Sequence, residues 1–126
     1  MNRQSGKGKK IGLLLSSLFS ILALLGVLGS GIAVYLGLFP RDPHIGIGLF
    51  AIFISIIFHI LNASASPMNF VSVLFLAGAF WSGLMNIEGK GGDNTVIHII
   101  VAPLAVALSI LTSVLNLRFW LKERRR

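Results

Sequence analysis

Charged side chains divide this chain into long apolar runs. None occurs between Ile11 and Pro40, between Pro43 and Ile87, or between Thr95 and Leu117. The middle run is too long for a single membrane crossing of about 20 residues. It breaks at Asn62-Ala-Ser-Ala-Ser-Pro-Met-Asn69, a polar stretch of small residues with a proline. A second turn signal, Glu88-Gly-Lys-Gly-Gly-Asp-Asn94, closes it. The pattern predicts four spans, at residues 11–38, 45–61, 70–87 and 96–117. A span must be a helix or part of a closed barrel, because lipid offers backbone groups no partners. These runs lack the alternating pattern of barrel strands. The expectation is an all-α integral membrane four-helix bundle over residues 11–117, flanked by basic segments at 1–10 and 118–126.

Composition agrees: 55% of the 126 residues are hydrophobic and 12% are charged, against about a quarter charged in soluble domains. The absence of cysteine removes disulfides, thiolate metal sites and covalent c-type haem attachment. A net charge of +7 would suggest nucleic acid in a soluble protein. Here the basic residues cluster at the two ends, which points to anionic lipid headgroups and excludes a nucleic-acid partner. The side holding both termini and the 62–69 loop carries nine Lys and Arg, whereas the other carries only Arg41 and Lys90. The positive-inside rule then puts both termini in the cytoplasm, with the bundle in the cell's inner or plasma membrane. A signal peptide is the competing reading of the basic start, but the apolar run to Leu38 is longer than a signal core. Tyr35, Trp81 and Trp120 fall where interfacial aromatic belts are expected. The sequon Asn62-Ala-Ser64 lies in the cytoplasmic loop and is discounted.

An offset of 54 residues aligns the second span with the fourth. Seven of the nineteen positions from His44 to Asn62 are then identical, including His44 with His98, Ser55 with Ser109 and Asn62 with Asn116. The same offset puts Gly29 on Gly83. Scarce polar types coinciding inside apolar spans suggest a tandem repeat of two helical hairpins, an arrangement known in membrane proteins. It would hold His44 and His98 at one depth, near the outer surface.

No Asp, Glu, Lys or Arg lies inside the predicted spans, which counts against a carboxylate-coupled transporter or a charged-ring channel. The histidines are the remaining candidates for chemistry. His44, Gly48, Ala51, Ser55 and His59 fall on one helical face, matched by His98, Ala102, Ala105, Ser109 and Ser113 on the fourth span. The small side chains on these faces have two readings. They allow close helix packing, or they leave room for a flat macrocycle between helices, where bundle cofactor sites are built. Imidazole is a common axial ligand of haem. His44 and His98 could therefore clamp one haem b iron, with Gly48 and Ala102 lining its pocket. His59 would lie roughly 22 Å further along the helix, where it and Met68 are the candidate ligands of a second haem.

The segment from His44 to His59 resembles the paired-histidine helix of membrane b-type cytochromes. The layout from Gly29 to Asn116 is similar to small four-helix families with duplicated hairpins and haem histidines. The fourth span departs from that pattern, because Ser113 stands where a second histidine would be. The resemblance implies electron transfer between quinone and a partner redox protein, in an anchor subunit rather than an enzyme.

Other readings stand beside this one. Interfacial histidines can be simply half-solvated, and His59 can serve only as a hydrogen-bonding group between helices. A non-redox accessory or assembly subunit, or a small oligomeric transporter, fits the same composition. A hydrolase or transferase finds no nucleophile–base constellation. Gly26, Gly29, Ala33 and Gly37 on the first span, with Ala79 and Gly83 on the third, read as packing positions. Ser16, Ser17 and Ser20 read as bonding back to their own helix, and Pro103 as kinking the fourth span beside Ala102.

Overall fold

The computed structural model describes residues 3–87 and 93–125. It holds four helices, α1 (Arg3–Tyr35), α2 (Arg41–Leu61), α3 (Met68–Ile87) and α4 (Asp93–Arg125). All four are long and apolar enough to cross a membrane, so the chain is an integral membrane protein with an all-α, four-helix architecture. Packing runs α1–α2, α2–α3, α3–α4 and α4–α1. The helices thus form a ring in which α2 lies diagonally opposite α4.

The helix ends follow local chemistry. α1 stops at Tyr35 rather than Leu38 because Gly37 adopts φ +71°. Leu38 N–H then bonds to the Ala33 carbonyl at 2.8 Å and Gly37 N–H to the Val34 carbonyl at 3.0 Å. This is a Schellman cap, which needs a left-handed residue at that position. Gly37 is therefore a terminator and not a packing position. α2 begins at Arg41, with Pro43 in its first turn, where a missing N–H costs nothing. α1 and α4 extend past the expected spans into the basic segments. There Lys10 Nζ donates to the Glu123 carbonyl at 3.1 Å, tying the two helices together. α4 continues as one element through Pro103. The predicted turn at Glu88–Gly92 lies outside the described residues.

Large apolar side chains such as Leu15, Phe50, Phe53 and Leu74 are exposed on the outside, where lipid is their solvent. The inside has three levels. At the end away from the termini, the helices surround a cavity. A waist of Leu24, Ala51, Ile52, Leu76, Ala79, Ala105 and Val106 closes its floor. Below the waist, towards the termini, the interior is largely polar, with Ser17, Ser20, His59, Asn62, Asn69, Ser72, Thr112, Ser113 and Asn116 all buried.

Candidate functional site

The cavity encloses about 560 Å³, within the roughly 300–1,000 Å³ range of cofactor and ligand sites. His44 and His98 both line it, as do Gly48 and Ala102, the small residues one turn further along each helix. The structure therefore brings four of the five candidate residues into one site. The fifth, His59, lies outside it, below the waist. It is 1% exposed and its Nδ1 meets Asn69 Oδ1 at 2.8 Å. The structure therefore does not bring His59 together with the other four.

Each cavity histidine is held by a serine one helix away. Ser30 Oγ lies 2.8 Å from His44 Nδ1, and Ser82 Oγ lies 3.0 Å from His98 Nδ1. Both hydroxyls also donate to their own helix, Ser30 to the Val27 carbonyl at 3.1 Å and Ser82 to the Ala79 carbonyl at 2.9 Å. A hydroxyl has one proton. With that proton on the carbonyl, the serine oxygen must accept from the imidazole. With that proton turned to Nδ1 instead, the imidazole accepts; in the first arrangement Nδ1 carries the hydrogen and each Nε2 presents a lone pair. This is the tautomer an imidazole needs to ligate a metal through Nε2, and ligating histidines usually have such an outer partner.

Glycines let the Cε1 corners of the rings come close to α1 and α3. A Cβ on Gly31 would sit 3.2 Å from His44 Cε1, and one on Gly83 would sit 3.3 Å from His98 Cε1. The matching contacts run Ser30–Gly31–His44 and Ser82–Gly83–His98. Gly29, the partner of Gly83 at an offset of 54, faces open space and is exposed, as does Gly26. Those two are corrected from packing positions to outward-facing ones. Ser30 precedes His44 by 14 residues, whereas Ser82 precedes His98 by 16. Ser30 and Ser82 are thus 52 residues apart, whereas His44 and His98 are 54 apart.

Polar groups gather at the cavity mouth. Arg41 donates to the Asn86 carbonyl at 2.9 Å, and Thr95 Oγ1 donates to Asn86 Oδ1 at 2.8 Å. All three line the cavity, while the rest of its lining, apart from the two histidines, is largely apolar. Pro103, also in the wall, offers no N–H to the Ile99 carbonyl four residues earlier.

Sequence reasoning missed the polar half below the waist. Asn69 and Asn116 form a reciprocal amide pair at 3.0 and 2.8 Å. Trp120 belongs to this network: it is 8% exposed and its Nε1 donates to Asn62 Oδ1 at 2.6 Å. It is an internal residue, not part of a lipid-facing belt; Tyr35 and Trp81 do face outwards, both largely exposed. Ser16 and Ser17 bond back to the Leu13 carbonyl as expected, whereas Ser20 accepts from Ser113 at 3.2 Å. The 54-residue coincidence of Asn62 with Asn116 was the available signal for this layer.

No protein-family model matches the chain, and neither does any curated protein or solved structure.

Proposed function

We propose that this protein is a b-type haem electron-transfer or anchor subunit, with the haem in the inter-helix cavity and His44 and His98 as its axial ligands. One observation carries the reading. Two imidazoles from diagonally opposite helices line one apolar cavity, each with its Nδ1 on a serine hydroxyl that can hold the tautomer with Nε2 free. The donor set suits haem iron, and the cavity volume falls in the range of cofactor sites. The glycines at 31, 48 and 83 and Ala102 keep the rings and helix faces clear of it. Arg41 at the mouth supplies the cation, and Thr95 a hydroxyl, that the macrocycle's carboxylates would need. Haem iron supplies one-electron redox chemistry, tuned by its axial ligands and the burial of the site. The chain's own residues orient the ligands, exclude water with a largely apolar wall, and leave the mouth polar.

On this reading the cavity opens away from the cytoplasm, because the basic residues of both termini keep their end inside. A quinone in the bilayer and a partner redox protein are the electron donor and acceptor classes that fit a membrane anchor. Assembly with copies or partner chains would use the exposed apolar faces.

The test is a titration of the detergent-purified chain with haemin. Saturation at one haem per chain, with a bis-histidine spectrum, supports the reading. Failure to bind haem in folded protein leaves the second reading, a non-redox accessory subunit or transporter that uses the cavity for another apolar ligand.

A further inference from the structure

Among the described residues, three buried polar side-chain atoms have no protein partner: Ser55 Oγ, Ser109 Oγ and His59 Nε2. The serines are 0% exposed and His59 is 1% exposed. Their isolation is not forced by the helix. A helical serine can always bond back to a carbonyl three or four residues earlier, and Ser16, Ser17, Ser30 and Ser82 do so. Ser55 and Ser109 leave that option unused, although they occupy corresponding turns of α2 and α4. His59 lies one turn beyond Ser55 on the same buried face.

The polarity of the third atom can be derived. Asn69 Nδ2 points at the Asn62 and Ser66 carbonyls, both at 2.9 Å, so its other amide atom is the oxygen. That oxygen accepts from Asn116 Nδ2 at 2.8 Å and faces His59 Nδ1 at 2.8 Å. His59 Nδ1 must therefore carry the hydrogen, and Nε2 is an acceptor. The three atoms are one acceptor and two hydroxyls, two of them on α2 and one on α4. Leaving such groups dry costs on the order of 1–3 kcal/mol each in protein interiors.

We infer that Ser55, Ser109 and His59 form a buried water-binding site inside the membrane-spanning bundle. One water balances the set. It donates a hydrogen to His59 Nε2 and accepts the Ser55 and Ser109 hydroxyl protons in its two lone pairs. Buried waters typically make about three such bonds. The neighbouring groups are all neutral: Ser17 and Ser20 on α1, Asn69 and Ser72 on α3, Thr112 and Ser113 on α4. Ser72 and Thr112 are already paired with each other at 2.8 Å, and Ser113 with Ser20 at 3.2 Å. They do not compete for the site. The water joins the midplane serines to the Asn69–Asn116 pair through the imidazole. This site does not depend on the haem reading, since the waist separates it from the cavity.

The experiment is nitrogen-15 NMR of histidine-labelled full-length protein in detergent micelles, with His44→Gln and His98→Gln used to assign the His59 signals. The expected result is a neutral ring with Nε2 at the hydrogen-bonded acceptor position and magnetisation transfer from water to the ring protons. In Ser55→Ala/Ser109→Ala the Nε2 signal should move towards the free-acceptor position and the water transfer should be lost. A free-acceptor Nε2 without water transfer in the unmodified chain would overturn the inference. So would an unchanged signal in the double variant.

Discussion

Ser30 Oγ lies 2.8 Å from His44 Nδ1 and 3.1 Å from the Val27 carbonyl, so a residue on α1 occupies one of the two nitrogens of an α2 imidazole. Ser82 does the same for His98. Sequence position gave no hint of this. The serines precede their histidines by unequal separations, and only the fold makes them equivalent.

Replacing these serines by alanine should release the tautomer without disturbing the bundle. We expect Ser30→Ala and Ser82→Ala to weaken haem binding by about 10–100-fold, the usual effect of removing an outer partner of a ligating histidine. Haemin titration measures the affinity. Thermal unfolding in detergent should stay close to that of the unmodified chain.

Gly31 and Gly83 should tolerate little. A leucine at either position must displace the imidazole packed on it, so haem binding should be lost in Gly31→Leu and Gly83→Leu. Gly26→Ala and Gly29→Ala enter open space and should stabilise α1 by up to about 1 kcal/mol through helix propensity. Equal tolerance at Gly29 and Gly31 would contradict the matching of Ser30–Gly31–His44 with Ser82–Gly83–His98.

Asn69 holds the lower half together. Its amide meets His59, Asn116 and the Asn62 and Ser66 carbonyls. Asn69→Ala should destabilise the protein by roughly 1–3 kcal/mol for each buried group left unpaired. Denaturant unfolding in mixed micelles would measure it. Serine at position 69 should recover only part of the loss.

The cap of α1 offers a local test. Gly37→Ala forces a Cβ into the left-handed region and should cost about 1–2 kcal/mol. Proteolysis across residues 36–40 should accelerate, while haem affinity should fall less than in the Gly31 and Gly83 variants.

The architecture was legible because membrane burial imposes it. Uncharged runs of sufficient length can only be helices here, and the expected spans fall within the four observed helices apart from residues 36–38. The faces of α2 and α4 were also legible, since His44, Ser55 and their counterparts keep a helical spacing against scarce polar alternatives. Gly31 and the two serines were not. Glycine and serine are common in membrane helices, and the offset of 54 does not pair Ser30 with Ser82. Trp120 was misread because an aromatic near a helix end has the same pattern whether it faces headgroups or an internal asparagine. The sequence marked His59 as unusual, but only the bundle puts a waist of Leu24, Ile52, Leu76 and Val106 between it and the cavity.

The most direct measurement is the visible spectrum of the detergent-purified protein expressed with haem supply, oxidised and then reduced with dithionite. The account predicts a Soret band with sharp reduced α and β bands, lost in His44→Ala and in His98→Ala but retained in His59→Gln. A featureless visible spectrum from folded protein, or one that survives loss of His44 or His98, would contradict it.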